Sequence, residues 1–399
     1  MVFRADSDTQ IYFQIGDPLR FATAAVLHNA MFAYANVNAV SINKVVKKGE
    51  LGRFIEGVKD LDIDGFDITM PHKQDVIPFL DEMDDISREF QSVNHVNYRN
   101  GKLIGTTLDG IGMRLAIEAE GVDLRGKNVL ILGAGGVTGP VAAEICKAGA
   151  SRMAVLNRTP EKAETLVGQL EKHFAAEFMP DAMTPETLCR YAREADVVVQ
   201  CTCLGMLDKH VDFEDLSFVD QLPPHAFVAD CVIFPERTSL LRAAESRGIR
   251  GINGFGMLIW QQKAMLKFHC GVDVDDGFYD AGEEAIYTAL ALRAARDQRD
   301  ARRAAGKCRK IKAVSYTHID VYKRQVLGPE NPGRYVRSGI QRLAAFQSGL
   351  SAAFDCFPIC PGNRQRGGGN HAAKAPGRRD KRACGFSAHA CETGLMRPG

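Results

Sequence analysis

The sequence predicts an α/β fold of two domains that face each other across a cleft, followed by a C-terminal tail that is disordered or spurious. Strand and helix patterns alternate over residues 10–110 and again over 126–256, which favours layered α/β structure in both regions. The length of 399 residues also exceeds the usual size of one hydrophobic core. The predicted divisions are a first domain at 1–112 that helices within 257–303 complete, a second at 113–256, and a tail at 306–399.

In the first domain, short strand patterns are separated by helix patterns. The strand patterns are IYFQIGD, NAVSINKV and DGFDITMP; the helix pattern TAAVLHNAMFAYA separates the first two, and another helix precedes the third. The last pattern, LIGTTLDGIGM, leads into a helix of the second domain. Pro71 has a fixed φ and no N–H, so we expect the third strand to end at residue 70.

Lys73 follows this proline and is the first candidate catalytic residue. A cleft is expected near the carboxyl end of such a strand, and a lysine that faces a desolvated cleft can serve as a general acid or base. Asp109, in GTTLDG, stands at a strand-to-helix turn and can orient Lys73 or relay a proton. The spacing alone also fits a lysine that caps a surface turn, and His72 fits a structural or surface residue.

The second domain contains the strongest pattern of the chain. KNVLILGAGGVTGPVAAEICKAGASRMAVLNRT predicts a strand at 128–132, a glycine turn, a helix at about 137–147 and a strand at 152–156. Glycines let the turn approach a pyrophosphate, and the N–H groups of the helix N-terminus receive its charge. Pro140 is tolerated because the first helical turn leaves its N–H unpaired. The pattern predicts a dinucleotide-binding domain.

The residues after the second strand of this unit indicate which dinucleotide is bound. NAD sites usually place a carboxylate there for the ribose 2′-hydroxyl, whereas this chain has NRTPEK. Arg158 can bind a 2′-phosphate or stack on adenine, Thr159 adds a donor, and Lys162 adds charge. We therefore predict NADP in preference to NAD; the alternative is a solvated Arg and Lys at a helix start, which the helix dipole disfavours.

Later strands of this domain also end in turns that can contact a ligand. EADVVVQCTCLGM predicts a buried strand at 197–200 that runs into a turn with Thr202, Gly205 and Met206. A further strand and helix follow, and GINGFGMLIW returns the chain through a glycine-rich turn. Ligands of open α/β sheets lie beyond the carboxyl ends of the strands, where these turns gather.

Composition is that of an ordinary globular protein, with 45% hydrophobic and 25% charged residues. No apolar run of membrane-spanning length occurs, so we expect a soluble cytoplasmic protein with a small-molecule substrate, no membrane or nucleic-acid partner, and a monomeric or homodimeric state. The 11 cysteines stand mostly alone, and Cys201 and Cys203 do not match a zinc spacing. We expect reduced thiols and no metal site.

The tail differs from the rest of the chain in charge and texture. Up to residue 305 there are 33 basic and 44 acidic residues, against 17 and 5 afterwards, so the net charge of +1 is a cancellation. Residues 313–325, AVSYTHIDVYKRQ, resemble a translated sequencing-adapter remnant. The tail is therefore predicted to be non-native; the alternative is an arginine-rich arm that contacts phosphates.

Eight motifs, in order over about residues 11–300, resemble those of the shikimate dehydrogenase family, which includes the quinate/shikimate dehydrogenases. GFDITMPHK is similar to G-F-N-V-T-x-P-x-K, SVNHV to A-V-N-T-V, and GTTLDG to G-x-N-T-D-G. GAGG and NRT are similar to the NADP-binding pair, and CTCLGM to A-T-P-x-G-M. DCVIFPERTSLL is similar to D-x-x-Y-x-P-x-x-T-x-L-L, and GFGMLIWQ to G-x-x-M-L-x-x-Q.

The resemblance implies reversible hydride transfer between NADP(H) and 3-dehydroshikimate or shikimate, in the chorismate pathway of aromatic amino acid biosynthesis. It implies that Lys73 and Asp109 are catalytic and that Asn94, Gln261 and Thr69 lie at the substrate. The cofactor-binding residues predicted for this Rossmann-type domain are Gly133, Ala134, Gly135, Gly136, Val137, Asn157, Arg158, Thr159, Lys162, Thr202, Gly205, Met206, Gly254 and Met257.

Departures from the family pattern lie on the substrate side. Two serines of the first motif grip the substrate carboxylate, and here Ala22 and Ala24 stand in their places within GDPLRFATAAVLHN. Four further positions differ from the motifs: Asp67, Thr107, Leu108 and Ile233. These changes leave open a quinate or other polyol-acid dehydrogenase with altered carboxylate recognition, and a catalytically idle dinucleotide or metabolite sensor; the intact Lys73 and Asp109 weigh against the sensor.

Overall fold

A computed structural model describes residues 5–19, 23–207 and 209–304, which lie within one compact unit. Two six-stranded sheets with helices packed on them confirm the predicted α/β class. Ala22 and the predicted tail at 306–399, including 313–325, lie outside the described residues. Within the described residues, no helix combines the length and apolar character needed to cross a membrane.

The first sheet is mixed rather than wholly parallel. Its strands are β1 (Gln10–Gly16), β2 (Ala39–Val45), β3 (Gly65–Ile68), β4 (Glu82–Met83), β5 (His95–Arg99) and β6 (Lys102–Thr106), in the order β2-β1-β3-β5-β6-β4. β5 runs antiparallel to both β3 and β6. The helices between these strands are α1 (Ala24–Tyr34), α2 (Leu51–Asp60) and α3 (Asp85–Phe90).

The third strand ends two residues earlier than the sequence predicts. β3 stops at Ile68, although Thr69 N still donates to Ile15 O at 2.9 Å and Asp17 N donates to Met70 O at 3.0 Å. These bonds hold the segment on β1, but its register with β5 ends at the pair Asp67 and His95. Pairing on one side alone leaves the chain free to turn before the proline.

The second sheet is parallel throughout. Its strands are β7 (Asn128–Leu132), β8 (Arg152–Asn157), β9 (Glu177–Ala182), β10 (Val197–Gln200), β11 (Phe227–Asp230) and β12 (Arg250–Ile252), in the order β12-β11-β10-β7-β8-β9. The helices are α4 (Asp109–Ala119), α5 (Thr138–Lys147), α6 (Pro160–Leu170), α7 (Pro185–Ala192) and α8 (Ser239–Ser246). The strand order changes direction between β7 and β10, where such sheets bind dinucleotides.

Two long helices, α9 (Gly254–Cys270) and α10 (Phe278–Ala304), follow the second sheet and pack with α1. Their shared core contains Leu27, Met31, Ile259, Phe278 and Ile286, all at most 1% exposed. Burying such large apolar side chains is the main stabilising contribution available to a helix in water. α9 therefore connects the second sheet to the helices of the first.

Two glycines bring α4 into close contact with its neighbours. A Cβ at Gly110 would lie 2.1 Å from the carbonyl oxygen of Pro140 in α5, and one at Gly112 would lie 2.5 Å from that of Met257 in α9. Only glycine permits these approaches. These approaches fix the start of α4, where Asp109 lies, against α5 and α9.

Candidate active site

Lys73 and Asp109 form an ion pair, as the sequence suggests they could. Lys73 Nζ lies 2.5 Å from Asp109 Oδ2. Lys73 stands in the turn after β3, with a quarter of its side chain exposed, whereas Asp109 begins α4 and is 7% exposed. An ammonium that is partly open to solvent and anchored on a buried carboxylate can exchange a proton with a ligand in the cleft.

Two amide side chains hold the other oxygen of this carboxylate. Asn94 Nδ2 donates to Asp109 Oδ1 at 2.7 Å, and Gln261 Nε2 donates to the same atom at 3.0 Å. Asn94 is itself oriented, because its Oδ1 accepts from Leu108 N at 2.9 Å. Burial opposes ionisation, but Lys73, His95 and Gln261 together outweigh it and hold the pKa of Asp109 below its usual value.

Two other residues that were predicted to bind the substrate, Thr69 and Ala24, form no hydrogen bond with this pair in the described part of the chain. Thr69 packs against the end of β1, where a Cβ at Gly16 would lie 2.4 Å from Thr69 Cγ2. Ala24 is the first residue of α1 and is partly buried. Neither it nor the neighbouring Ala25 offers a side-chain donor.

Thr107 is a polar residue that sequence reasoning did not assign to the site. It is 5% exposed and lies two residues before Asp109, and its Oγ1 has no hydrogen-bond partner among the described residues. A buried hydroxyl without a partner costs free energy unless a ligand supplies one. Its replacement of the motif asparagine was the available signal.

The glycine turn after β7 has the form of a phosphate cradle. Gly133 has φ of +108°, and a Cβ there would lie 2.8 Å from Thr202 Cγ2, so this position requires glycine. Gly135 and Gly136 are exposed, and a Cβ on either would meet no atom within 4 Å. That open space leads to Val137 and α5, whose N-terminal N–H groups can receive negative charge.

The end of β8 lies beside this turn. Asn157 Oδ1 accepts from Ala134 N at 3.1 Å, and Asn157 Nδ2 donates to Thr159 O at 2.8 Å, so one side chain joins the two predicted cofactor segments. Arg158 and Lys162 are exposed beyond the strand end. Two cations on an open surface next to a phosphate cradle fit a 2′-phosphate better than a bare ribose.

The remaining predicted cofactor residues lie in two turns. Leu204 N donates to Thr202 Oγ1 at 3.1 Å, and Gly205 has φ of +84°. The threonine hydroxyl and the glycine therefore determine the conformation of the turn after β10. Gly254 begins α9, and a Cβ there would lie 2.5 Å from Cys231 O at the end of β11. Met206 lies in the turn after β10, and Met257 lies in the first helical turn of α9.

A second buried carboxylate, Asp67, has histidines as partners and was not predicted as a site. Asp67 is 2% exposed and contacts His95 through Oδ1, which also lies 2.9 Å from His269 Nε2. Its Oδ2 lies 3.0 Å from His28 Nδ1. Burial opposes the charge, but the histidines outweigh it and hold the pKa of Asp67 well below its usual range. Burial also lowers the pKa of His269 to about 4.

His72 and the cysteines have structural surroundings. His72 is fully buried, and its Nε2 contacts Val46 O at 2.7 Å, which confirms the structural interpretation over the surface one. The six cysteines of the described residues are all free thiols.

Two family models match successive segments of the chain, one in the region of each sheet. Residues 15–96 match the family model described as shikimate dehydrogenase substrate binding domain, and residues 114–206 match the one described as shikimate / quinate 5-dehydrogenase. The shikimate dehydrogenase (NADP(+)) of Alkaliphilus metalliredigens is 35% identical over 280 residues, 69% of this chain and 96% of the relative. That of Thermococcus kodakarensis is 38% identical over 273 residues, 68% and 95% of the two chains.

Solved structures agree in fold. Shikimate 5-dehydrogenase from Listeria monocytogenes, in complex with shikimate and NAD, has a TM-score of 0.65 at 25% identity and covers 71% of this chain and 98% of its own. The ligand-free 5-ketofructose reductase of a Gluconobacter strain has a TM-score of 0.63 at 26% identity, covering 71% and 100%. The family resemblance and the NADP preference drawn from the sequence are confirmed by the curated relatives.

Proposed function

The chain belongs to the shikimate dehydrogenase family and is an NADP-dependent dehydrogenase that acts on a CH–OH group, and we propose that its reaction is the reversible reduction of 3-dehydroshikimate to shikimate. The observation that carries the proposal is the ion pair of Lys73 and Asp109 at 2.5 Å, which joins the turn after β3 to the start of α4. The same pair argues against an idle sensor, because binding alone does not require a partly exposed lysine held on a buried carboxylate.

Lys73 is proposed to be the proton donor of the reduction. NADPH, when bound, supplies the hydride to the carbonyl carbon. As that C–H bond forms, the π electrons of the carbonyl move onto its oxygen, which takes a proton from Lys73 Nζ to become the hydroxyl. Asp109 stabilises the ammonium before the transfer and orients it; the lysine then regains a proton through the open side of the cleft. Oxidation of the alcohol runs through the same steps in reverse.

Substrate hydroxyls are proposed to bind around the carboxylate. Asn94 and Gln261 each hold Asp109 with one N–H and keep a second amide proton for a ligand. Thr107 Oγ1, buried without a partner in the described residues, is proposed to bind a further hydroxyl, and Thr69 to border the ring.

A second candidate substrate is a polyhydroxylated ketone that lacks a carboxylate. Ala24 places a methyl group at the start of α1 where the family motif has a serine hydroxyl, and Ala22 does the same by sequence. A fold neighbour named 5-ketofructose reductase is similar to this chain at 26% identity. Quinate is the third candidate. Like shikimate it carries a carboxylate, which this chain would have to bind without the two serines of the family motif.

One assay separates these substrates. The full chain is incubated with NADP and, in turn, shikimate, quinate and a carboxylate-free sugar alcohol, and NADPH formation is followed by absorbance. We expect turnover with shikimate. Turnover with the sugar alcohol alone would show that the substrate is a carboxylate-free polyol and not a ring acid. Turnover with none of the three would contradict the proposed activity.

The cofactor contact is tested by Arg158→Ala. Loss of one charge-assisted contact to a 2′-phosphate is expected to raise the KM for NADP by about tenfold to a hundredfold and to leave the KM for NAD unchanged. Arg190→Ala is the matched control, because that arginine pairs with Asp181 at the surface. Equal effects on both cofactors would show that Arg158 does not read the phosphate. Cytoplasmic location, the absence of nucleic-acid partners and a monomeric or dimeric state stay predictions.

A further inference from the structure

The side chains of Asp67, His95 and His269 converge where α9 packs on the first sheet. Asp67 and His95 are register partners on β3 and β5, and His269 lies in the last turn of α9. All three are at most 3% exposed. One ligand atom from each lies within 4.8 Å of the others. We propose that these residues form a binding site for a divalent first-row transition metal, with Zn²⁺ as the cation of choice.

The distances fit a common metal ion. Asp67 Oδ1 and His95 Nδ1 lie 2.9 and 3.2 Å from His269 Nε2. Zinc binds imidazole nitrogen and carboxylate oxygen at about 2.0–2.2 Å, which separates neighbouring tetrahedral ligands by about 3.3 Å. Both distances at His269 Nε2 lie within a few tenths of an ångström of that separation. Asp67 Oδ1 and His95 Nδ1 are in closer contact and have to separate by about one ångström to bind the same ion. Two imidazoles and one carboxylate are a recurrent ligand set for zinc and for non-haem iron.

Hydrogen bonds around His269 direct a lone pair at this point. His269 Nδ1 lies 2.5 Å from Asn97 Oδ1, and Asn97 Nδ2 donates to Phe268 O at 2.8 Å, so the amide oxygen accepts and Nδ1 carries the proton. Nε2 of a neutral ring then faces Asp67 Oδ1 acceptor to acceptor. A cation between them removes this repulsion, and an outer hydrogen bond of this kind fixes the tautomer of metal-binding histidines.

Asp67 Oδ2 is also available to the cation. It is buried and receives no hydrogen bond among the described residues, although His28 Nδ1 lies 3.0 Å away. That ring nitrogen is instead directed at Ser41 Oγ, at 3.3 Å. Asp67 therefore retains lone pairs on both oxygens, and His28 supplies a third buried ring nitrogen beside them.

A metal here would join α9 to the first sheet. His269 is 202 residues from Asp67 in sequence, and α9 also carries Gln261, which holds Asp109. Because the ligands come from separate elements, a bound ion stabilises the folded chain over the unfolded one. Its role is structural, since the catalytic lysine does not contact the cluster.

Metal binding is tested on the chelator-treated full chain by Zn²⁺ titration calorimetry and thermal unfolding. The double variant Asp67→Asn with His95→Thr carries the residues of the family motifs and removes two ligands. His225→Gln is the matched control, because His225 forms a surface pair with Asp196. We expect one Zn²⁺ fewer in the double variant than in the control. Free Zn²⁺ at a hundredfold excess over Kd should raise the unfolding midpoint of the control by about 5 °C or more, and not that of the double variant.

X-ray absorption of the zinc-loaded wild-type chain keeps the proposal testable if the double variant does not fold. We expect a first shell of nitrogen and oxygen with imidazole scattering. A sulfur shell would assign the zinc to cysteines and overturn the proposal. Equal zinc content and equal unfolding midpoints in the double variant and the control would overturn it as well. The cluster would then hold a proton shared among the histidines in place of a metal ion.

Discussion

Asp109, at the start of α4, and Asp67, on β3, are two buried carboxylates that are stabilised in different ways. Asp109 is paired with one lysine, a quarter of whose side chain is exposed, and with two amides. Asp67 is enclosed by three histidines that are themselves at most 3% exposed. Adjacent residues link the two sites, because Asn94 binds Asp109 and His95 contacts Asp67. The first carboxylate has a partner that is partly open to solvent, whereas all three partners of the second are enclosed.

The comparison indicates that burial alone does not assign a role to a carboxylate. In both cases neighbouring groups outweigh burial and lower the pKa. The two carboxylates differ in the kind of cationic partner, which is a lysine for Asp109 and histidines for Asp67, and in how far that partner is exposed to solvent. Lysine is cationic at neutral pH and can reach a substrate, whereas the charge on an enclosed histidine cluster depends on what binds there.

The largest effect is expected from Lys73→Ala. Removing the proposed proton donor should lower kcat by about a hundredfold to ten-thousandfold, measured as NADPH formation at saturating substrate. Lys102→Ala is the control, because Lys102 pairs with exposed Glu82 on the same sheet. A Lys73→Ala enzyme within threefold of wild type would place the proton transfer elsewhere.

Glu236 is a third buried carboxyl, and it extends the comparison to one without a cationic partner. It accepts a hydrogen bond from Tyr287 at 3.3 Å and contacts no lysine among the described residues. Burial raises its pKa to about 7. The folded state therefore holds this proton more tightly than the unfolded state, and the stabilisation is present below about pH 4.5 and lost as pH rises through about 7.

Replacing this carboxyl by an amide should remove that pH dependence. Between pH 4.5 and 7.5, Glu236→Gln is expected to gain about 2–3 kcal/mol of unfolding free energy relative to wild type, measured by urea unfolding. Exposed Glu82→Gln controls for the general effect of charge. Parallel stability curves for Glu236→Gln and wild type would mean that the group titrates normally.

A smaller effect is expected from Gln261→Ala, which removes one of the two amides on Asp109. Loss of a single hydrogen bond to a charged group should lower kcat/KM by about tenfold. Gln262→Ala is the neighbouring control, since Gln262 donates within α9 to Leu258 O. Equal losses in the two variants would indicate a disturbed helix rather than a loosened carboxylate.

Local signals in the sequence predicted much of the second sheet. β7 and β10 have the predicted bounds, and β8 extends one residue further, because buried parallel strands are continuous apolar runs closed by turn residues. The antiparallel placement of β5 was not predicted, since alternation of strands and helices does not encode strand direction.

The Lys73 and Asp109 pair could also be predicted, because local sequence signals mark the ends of strands and helices. Lys73 and Asp109 stand at strand and helix ends, where chain reversal marks a cleft, and the structure brings them together. The Asp67 cluster has no such signal, because its members are scattered over the chain and buried polar residues follow no period. Asp67 was visible only as a departure from a motif.

The distinction between the two carboxylates is tested most directly by measuring kcat and the thermal unfolding midpoint of Asp109→Asn and Asp67→Asn side by side. The account predicts that Asp109→Asn lowers kcat by about a hundredfold or more while its midpoint stays within about 3 °C of wild type. Asp67→Asn, which leaves buried histidines without their carboxylate, should lower the midpoint by about 5 °C or more with a smaller loss of kcat. The reverse pattern, or equal effects in both variants, would contradict it.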